Sequence, residues 1–206
     1  MIDKNSLKLS INPSGWNLFR RRKADPAFRP IRDKIFNRDS HVCQFCGFQA
    51  QEYQEIINLD QNYRNNKFSN MVTACCFCTQ CFFIEKVGNA GFGGGKLIYL
   101  PEMKQEELNS FCHVIFCAMT NASGYRDTAQ MIYRDLKFRV QPIEEKFGVG
   151  ASSPNVFGQM LVECQSNKEV SVEKEFADFR LLPTYAKFKK QLTDWAASAA
   201  EELATK

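Results

Sequence analysis

Two cysteine pairs carry the clearest chemistry in this sequence: Cys43-Gln-Phe-Cys46, followed by Gly47, and Cys75-Cys76-Phe-Cys78, with 28 residues between the pairs. Two residues between ligands let a tight turn aim both sulfurs at one point, and Gly47 suits the positive φ such a turn needs. Two turns of this kind make a tetrahedron of thiolates. Zinc is its natural occupant, a borderline-soft ion with no directional d-electron demand. Four protein ligands leave no position for water, so the spacing predicts one structural Zn2+ on Cys43, Cys46, Cys75 and Cys78. Apparent binding free energies of roughly 10 to 16 kcal/mol in small zinc modules rival the stability of a whole domain, so the metal would decide whether this region folds.

Other readings use the same residues: four reduced core cysteines without metal, a four-thiolate iron–sulfur cluster, or a second pair shifted to Cys78-Thr-Gln-Cys81. The earlier register is preferred. Met71-Val-Thr-Ala has the character of a short strand delivering Cys75 into a turn, while Cys81-Phe-Phe-Ile84 reads as core. Whether Cys76 and Cys81 serve a second ion stays open. Cys112, Cys117 and Cys164 fall on apolar helix faces and are expected as small buried hydrophobes. The nine cysteines, an odd number, cannot all pair within the chain. Met1 to Ser10 carries no apolar export signal and no stretch nears the roughly 20 apolar residues of a membrane span, so a cytoplasmic, reducing location is expected.

Other residues promise less. Five glycines crowd Gly88 to Lys96 and end in Gly-Lys, but a phosphate loop wants glycine at 90 and Ser or Thr at 97, where the chain has Ala90 and Leu97. A turn-rich loop is the better account. His41 and His113 read as packed or surface histidines. Residues 1 to 40 carry ten Lys or Arg against four Asp or Glu, within a net charge of +4 for the whole chain. The run Arg20-Arg-Arg-Lys23 could meet nucleic acid, anionic lipid or an acidic segment, and as a solvated loop it needs no partner at all.

The elements that must position these groups read as α+β with a mostly helical C-terminal half. At 206 residues, 44% hydrophobic and 24% charged, the chain can bury a sizeable core. One domain is expected, comprising an N-terminal extension (1–30), a zinc module (31–100) and a helical region (101–206). Asn12 to Gly15 reads as a turn in an irregular stretch, with Trp16, Leu18 and Phe19 as anchors and a short helix after them. Ile31, Ile35 and Phe36 predict a helix from Pro30, ending at Asn37 to Ser40. Leu97 to Leu100 reads as a strand. A helix beginning near Pro101 carries the stripe Leu108, Phe111, Cys112, Ile115 and Met119, and further helices are expected around 126–138, 155–164 and 168–180. Phe188, Leu192, Trp195 and Ala199 mark a last helix after Pro183. Eighteen phenylalanines are more than one small core readily hides, which suggests aromatics exposed in a groove.

The stretch Ile35 to Gly47, with Asn70-Met-Val-Thr-Ala-Cys75-Cys-Phe-Cys78, resembles the HNH endonuclease family in its zinc-stapled form. That resemblance implies a ββα-metal fold in which two knuckles hold structural zinc while histidines and an asparagine serve catalysis. The catalytic half departs from the pattern. The family's Asp-His-Ile-Ile-Pro-Leu aligns with Gln54-Glu55-Ile56-Ile57-Asn58-Leu59, which puts Glu55 where the general-base histidine belongs. Thr79 stands where a second His or Asn often follows the last knuckle, and the matching Asn70 is usually structural. Hydrolysis by this route needs a base and a divalent metal to hold developing charge, and neither has an evident residue.

From about Ser14 to the last helix the chain also resembles the DotN/IcmJ family of subunits of the Dot/Icm type IVB secretion coupling complex. Cys43 to Phe48, Ile56 to Asp60, Val72 to Phe83, Gly93 to Leu100 and Leu181 to Ala197 carry that likeness, with Cys-Cys-Phe-Cys and Gly-Gly-Gly-Lys-Leu-Ile-Tyr-Leu-Pro its most specific strings. The resemblance implies a non-enzymatic adaptor that binds the C-terminal segment of the coupling ATPase and other coupling-complex subunits. It would reach the inner membrane through those partners, without inserting, and would take neither nucleic acid nor a small-molecule substrate. A groove between the zinc module and the later helices is the expected place for the partner's segment. The alternative is an HNH-type metal-dependent nuclease or a nucleic-acid-binding protein.

Overall fold

A computed structural model describes residues 7–89, 91–121, 124–166 and 176–204. It is a mixed α/β structure dominated by helices, with two separate two-stranded antiparallel sheets among the described residues.

The chain enters along residues 81–84, where Ser10 N–H donates to the Cys81 carbonyl and Ile84 N–H to that of Ser10. Helix α1 (Pro13–Ala24) starts earlier than the turn chemistry suggested. Asn12 is its N-cap, its side-chain oxygen accepting from Gly15 N–H at 2.8 Å, and Pro13 takes the first helical position, where its missing N–H costs nothing. Turn residues here are helix-start residues. Helix α2 (Arg29–Arg38) follows as expected and buries Ile35 and Phe36.

The end of α2 is tied to the first sheet by charge. Arg38 grips both oxygens of Asp39 and also donates to the Phe68 and Met71 carbonyls, while Asp39 accepts from Thr73 N–H at 2.8 Å. Burial alone would raise the Asp39 pKa, but the hydrogen bonds from Arg38 and Thr73 win and hold it below the ordinary carboxylate value. A depressed folded-state pKa contributes stability above the unfolded value of about 3.9, and that contribution is lost as pH falls through the folded value. Asp39→Asn is therefore expected to cost about 2 kcal/mol near neutral pH, and the deficit should shrink in denaturant titrations below pH 4.

Strands β1 (Gln54–Asn58) and β2 (Met71–Cys75) pair in register from Gln54 opposite Cys75 to Asn58 opposite Met71. The short helix α3 (Cys76–Gln80) follows β2 directly. Strand β3 (Gly95–Tyr99) lies where Leu97 to Leu100 predicted it, and its partner β4 (Phe179–Pro183) comes from the far end of the chain. That strand corrects part of the expected 168–180 helix: residues 176–178 are turn and Phe179 begins β4, while 168–175 lie outside the described residues.

Helix α4 (Gln105–Thr120) starts four residues past Pro101, because 101–103 form a turn before Glu107 accepts from Lys104 N–H at 2.8 Å. Helices α5 (Arg126–Phe138), α7 (Pro154–Ser166) and α8 (Lys189–Ala204) match expectation, and α6 (Gln141–Phe147) was not anticipated. Along α8 the stripe is buried at Leu192 and partly at Trp195, but Ala199 is exposed.

Phe19, Ile57, Phe77, Leu97, Phe116, Leu181 and Leu192 belong to one buried apolar cluster, while Phe28, Ile35, Phe36, Ile56 and Met71 form a second, smaller one under α2. The phenylalanines are mostly spent there: Trp16, Phe19, Phe83 and Phe92 form one edge-packed group, and Phe147, Phe157, Phe176 and Phe179 another. Of the phenylalanines only Phe68 and Phe138 are markedly exposed, so the surplus phenylalanines are core rather than groove.

Candidate metal centre

The first cysteine turn is built by α2's exit. Ser40 and His41 both take the left-handed conformation (φ +54°), reversing the chain so that Cys43 N–H can donate to the Phe48 carbonyl and Gly47 N–H to that of Cys43. Gly47 has φ +76°, as its place after the second cysteine requires. Gln44 N–H reaches the Thr73 carbonyl and docks the turn on β2, so the strand that delivers Cys75 also holds Cys43 and Cys46. Cys78 follows one helical turn later, in α3.

The sulfurs of Cys43, Cys46, Cys75 and Cys78 lie within 4.8 Å of one another, and those of Cys46 and Cys75 are 3.6 Å apart. A tetrahedron with metal–sulfur bonds of about 2.3 Å has edges near 3.8 Å, so the cluster has the size of a closed four-thiolate site. Cys43, Cys75 and Cys78 are buried and Cys46 is partly so. Cys81 lies outside this group of four and donates to the Phe77 carbonyl.

Burial opposes ionisation of Cys43, yet hydrogen bonds from Cys46, Cys75 and Cys78 outweigh it and hold this thiol well below its ordinary value. Burial, with the negative sulfurs beside them, pushes Cys75 and Cys78 well up. Zinc binds thiolates, so a divalent cation held here would favour the charged form that burial opposes at Cys75 and Cys78.

Two side chains from α4 complete the setting, and sequence reading did not assign either to it. Asn109 Nδ2 donates to Cys78 Sγ at 3.2 Å, and His113 Nε2 lies 3.3 Å from Cys75 Sγ. The His113 ring is stacked between Phe48 of the first turn (3.6 Å) and Phe77 of the second (4.2 Å), with Trp195 of α8 edge-on. Burial pushes the His113 pKa down to about 3, which keeps the ring neutral. The signal was available: Asn109 and His113 stand four apart on the same helix as Leu108, Cys112 and Ile115, where buried polar groups require partners.

The three cysteines of the later helices divide. Cys112 is buried as expected, Cys164 is half-buried, and Cys117 is exposed on α4, a correction to the expectation that all three are core.

Glu55, the residue at the nuclease-base position, points into a cleft of about 390 Å3 lined by Phe19, Arg22, Phe28 and Phe36. Burial raises its pKa, opposed by its ion pair with Lys23 and by Arg32 and Arg22. Arg22 itself is spent internally, donating to the Ile56 carbonyl and Asn58 Oδ1. Thr79 and Asn58 are buried, and Asn70 is held by Asp60 and Asn65. Among the described residues none of α4 to α8 lines this cleft, so it is not the groove expected between the zinc module and the later helices. His41 packs on Phe36 (5.6 Å) as an ordinary core-edge histidine.

Fold and site together define a mixed α/β protein with a preassembled four-cysteine centre of metal-binding size. No family model matches the chain. It is 58% identical, over 198 residues, to the Type 4 apparatus protein DotN of Legionella pneumophila subsp. pneumophila (strain Philadelphia 1), an alignment covering 96% of this chain and 92% of that protein. The chain belongs to the DotN family.

Proposed function

We propose that this chain is a non-catalytic scaffold of a type IVB secretion apparatus. One structural zinc on Cys43, Cys46, Cys75 and Cys78 staples a degenerate HNH-like ββα module, here β1, β2 and α3, onto which the helices pack. The scaffold binds the C-terminal tail of the coupling ATPase and supports delivery of effector proteins. The observation that carries this reading is the 58% identity, across nearly all of both chains, to a protein named as part of a type 4 apparatus. The closed four-sulfur geometry supports a structural rather than a catalytic metal. The chain has Glu55 where the nuclease pattern has its general-base histidine, which supports the absence of hydrolysis by that route. Among the described residues no helix is long and apolar enough to cross a membrane, which fits attachment through partners at the cytoplasmic face of the inner membrane.

The test is a pull-down of purified chain with the coupling ATPase's C-terminal tail. A stoichiometric complex resistant to salt is the expected result. Plasmid nicking that needs added divalent metal and disappears in Glu55→Ala would overturn the reading in favour of a nuclease. DNA affinity that falls steeply with salt, without cleavage and without tail binding, would replace it with a nucleic-acid module.

A further inference from the structure

We infer that helix α4 supplies the outer shell of the cysteine centre, with Asn109 and His113 as positioning residues whose N–H groups hold the Cys78 and Cys75 thiolates and slow release of the metal. This rests on the zinc reading above and extends it to residues outside the cysteine turns.

The direction of each hydrogen bond follows from its neighbours. Gln105 exchanges two hydrogen bonds with the Leu181 backbone of β4: its Oε1 accepts from Leu181 N–H at 2.7 Å and its Nε2 donates to the Leu181 carbonyl at 3.0 Å. That fixes which end of the amide is nitrogen. The same Nε2 donates to Asn109 Oδ1 at 3.0 Å, so Asn109 must turn its NH2 toward Cys78. For His113, Nδ1 is buried and has no hydrogen-bond partner. A hydrogen on Nδ1 would be a stranded buried donor; with the hydrogen on Nε2 the unpartnered Nδ1 holds only a lone pair, and Nε2 donates to Cys75 when that sulfur is a thiolate.

Neutral thiols are weak acceptors, whereas ionised groups make hydrogen bonds about twice as strong. Two buried donors aimed at two sulfurs therefore complement thiolates, the form that binds metal. The relay Leu181–Gln105–Asn109–Cys78 also makes β4, roughly 100 residues beyond Cys78, a support of the centre.

The experiment uses the full chain. Zinc content of the wild type is measured first, and then the rate at which a chromogenic chelator strips zinc from wild type, Asn109→Leu, His113→Phe and the same-helix control Cys112→Ala. Loss of outer-shell partners typically weakens metal binding 10- to 100-fold. Release about tenfold or more faster is expected in both test variants, and release within about twofold of wild type in the control even where its melting temperature falls. In Co2+-substituted protein the sulfur-to-metal charge-transfer band should move to longer wavelength in both test variants, because each thiolate loses a donor; a purely structural role would not move it. If Asn109→Leu fails to fold, His113→Phe, which keeps the aromatic stack, decides. Unchanged release and an unmoved cobalt band in folded, zinc-loaded variants would overturn the inference. A folded wild type without zinc would instead overturn the metal reading on which it depends.

Discussion

Cys75→Ser protein is expected to purify without zinc and to be aggregated or rapidly degraded by protease, against about one zinc per chain expected in the wild type. Cys75 is fully buried, delivered by β2, and faces both Cys46 and His113. A serine hydroxyl cannot replace a soft thiolate on zinc, and the loss of that thiolate leaves only three sulfurs to hold a divalent ion. Binding free energy of roughly 10 kcal/mol or more is folding free energy in such modules, so its loss exceeds what a domain with 5 to 15 kcal/mol of stability tolerates. Metal analysis by mass spectrometry and limited proteolysis read the two halves of the result. Unchanged zinc in the Cys75 variant would show that the four sulfurs are not the ligands.

Phe77→Ala should be nearly as damaging by a different route. The ring is fully buried between two cysteines of the cluster, stacked on His113 and edge-on to Phe116, Phe188 and Trp195. It therefore joins the second cysteine turn to α4 and α8. Truncating a buried Phe costs about 3 to 5 kcal/mol through lost burial and the cavity left behind. Chemical denaturation should show that loss with zinc still present at one per chain, because no ligand is touched. Phe138→Ala, at a residue 60% exposed, is the control and should cost about 0.5 kcal/mol or less. A zinc-free Phe77→Ala protein would mean that the ring holds the cluster itself together.

The cluster was legible in the sequence because its signal is local: each pair spans four residues and needs only a turn. Helices α2, α5, α7 and α8 and strands β2 and β3 were legible for the same reason, each carrying its own periodicity or β-branched run. What was missed depends on distant partners. Five residues, Phe-Arg-Leu-Leu-Pro, form β4 because Gly95 to Tyr99 offers an unpaired edge, which no reading of the segment alone reveals. Asn12-Pro-Ser-Gly15 satisfies both turn and N-cap chemistry, and only the packing of Phe19 against Tyr63 and Phe83 selects the helix. Cys117 shares a helix with buried Cys112 but points outward, since that helix buries one face and the apolar run on it is wider than that face. His113, read as a packed or surface histidine, is packed, but its place beside Cys75 was not legible because the two phenylalanines that hold it are 65 and 36 positions away.

The pairing of β3 with β4 also sets an order of events at the ribosome. Both cysteine pairs have left the exit tunnel long before Phe179 to Pro183 is made. At 5 to 20 residues per second the wait is on the order of 5 to 20 seconds. Through that interval the nascent chain can gather its four sulfurs, yet its Leu97 and Ile98 strand stays uncovered. A stalled or truncated transcript ending before residue 179 would thus release a half-built product with a bare β edge, the substrate that quality-control proteases and holdase chaperones recognise.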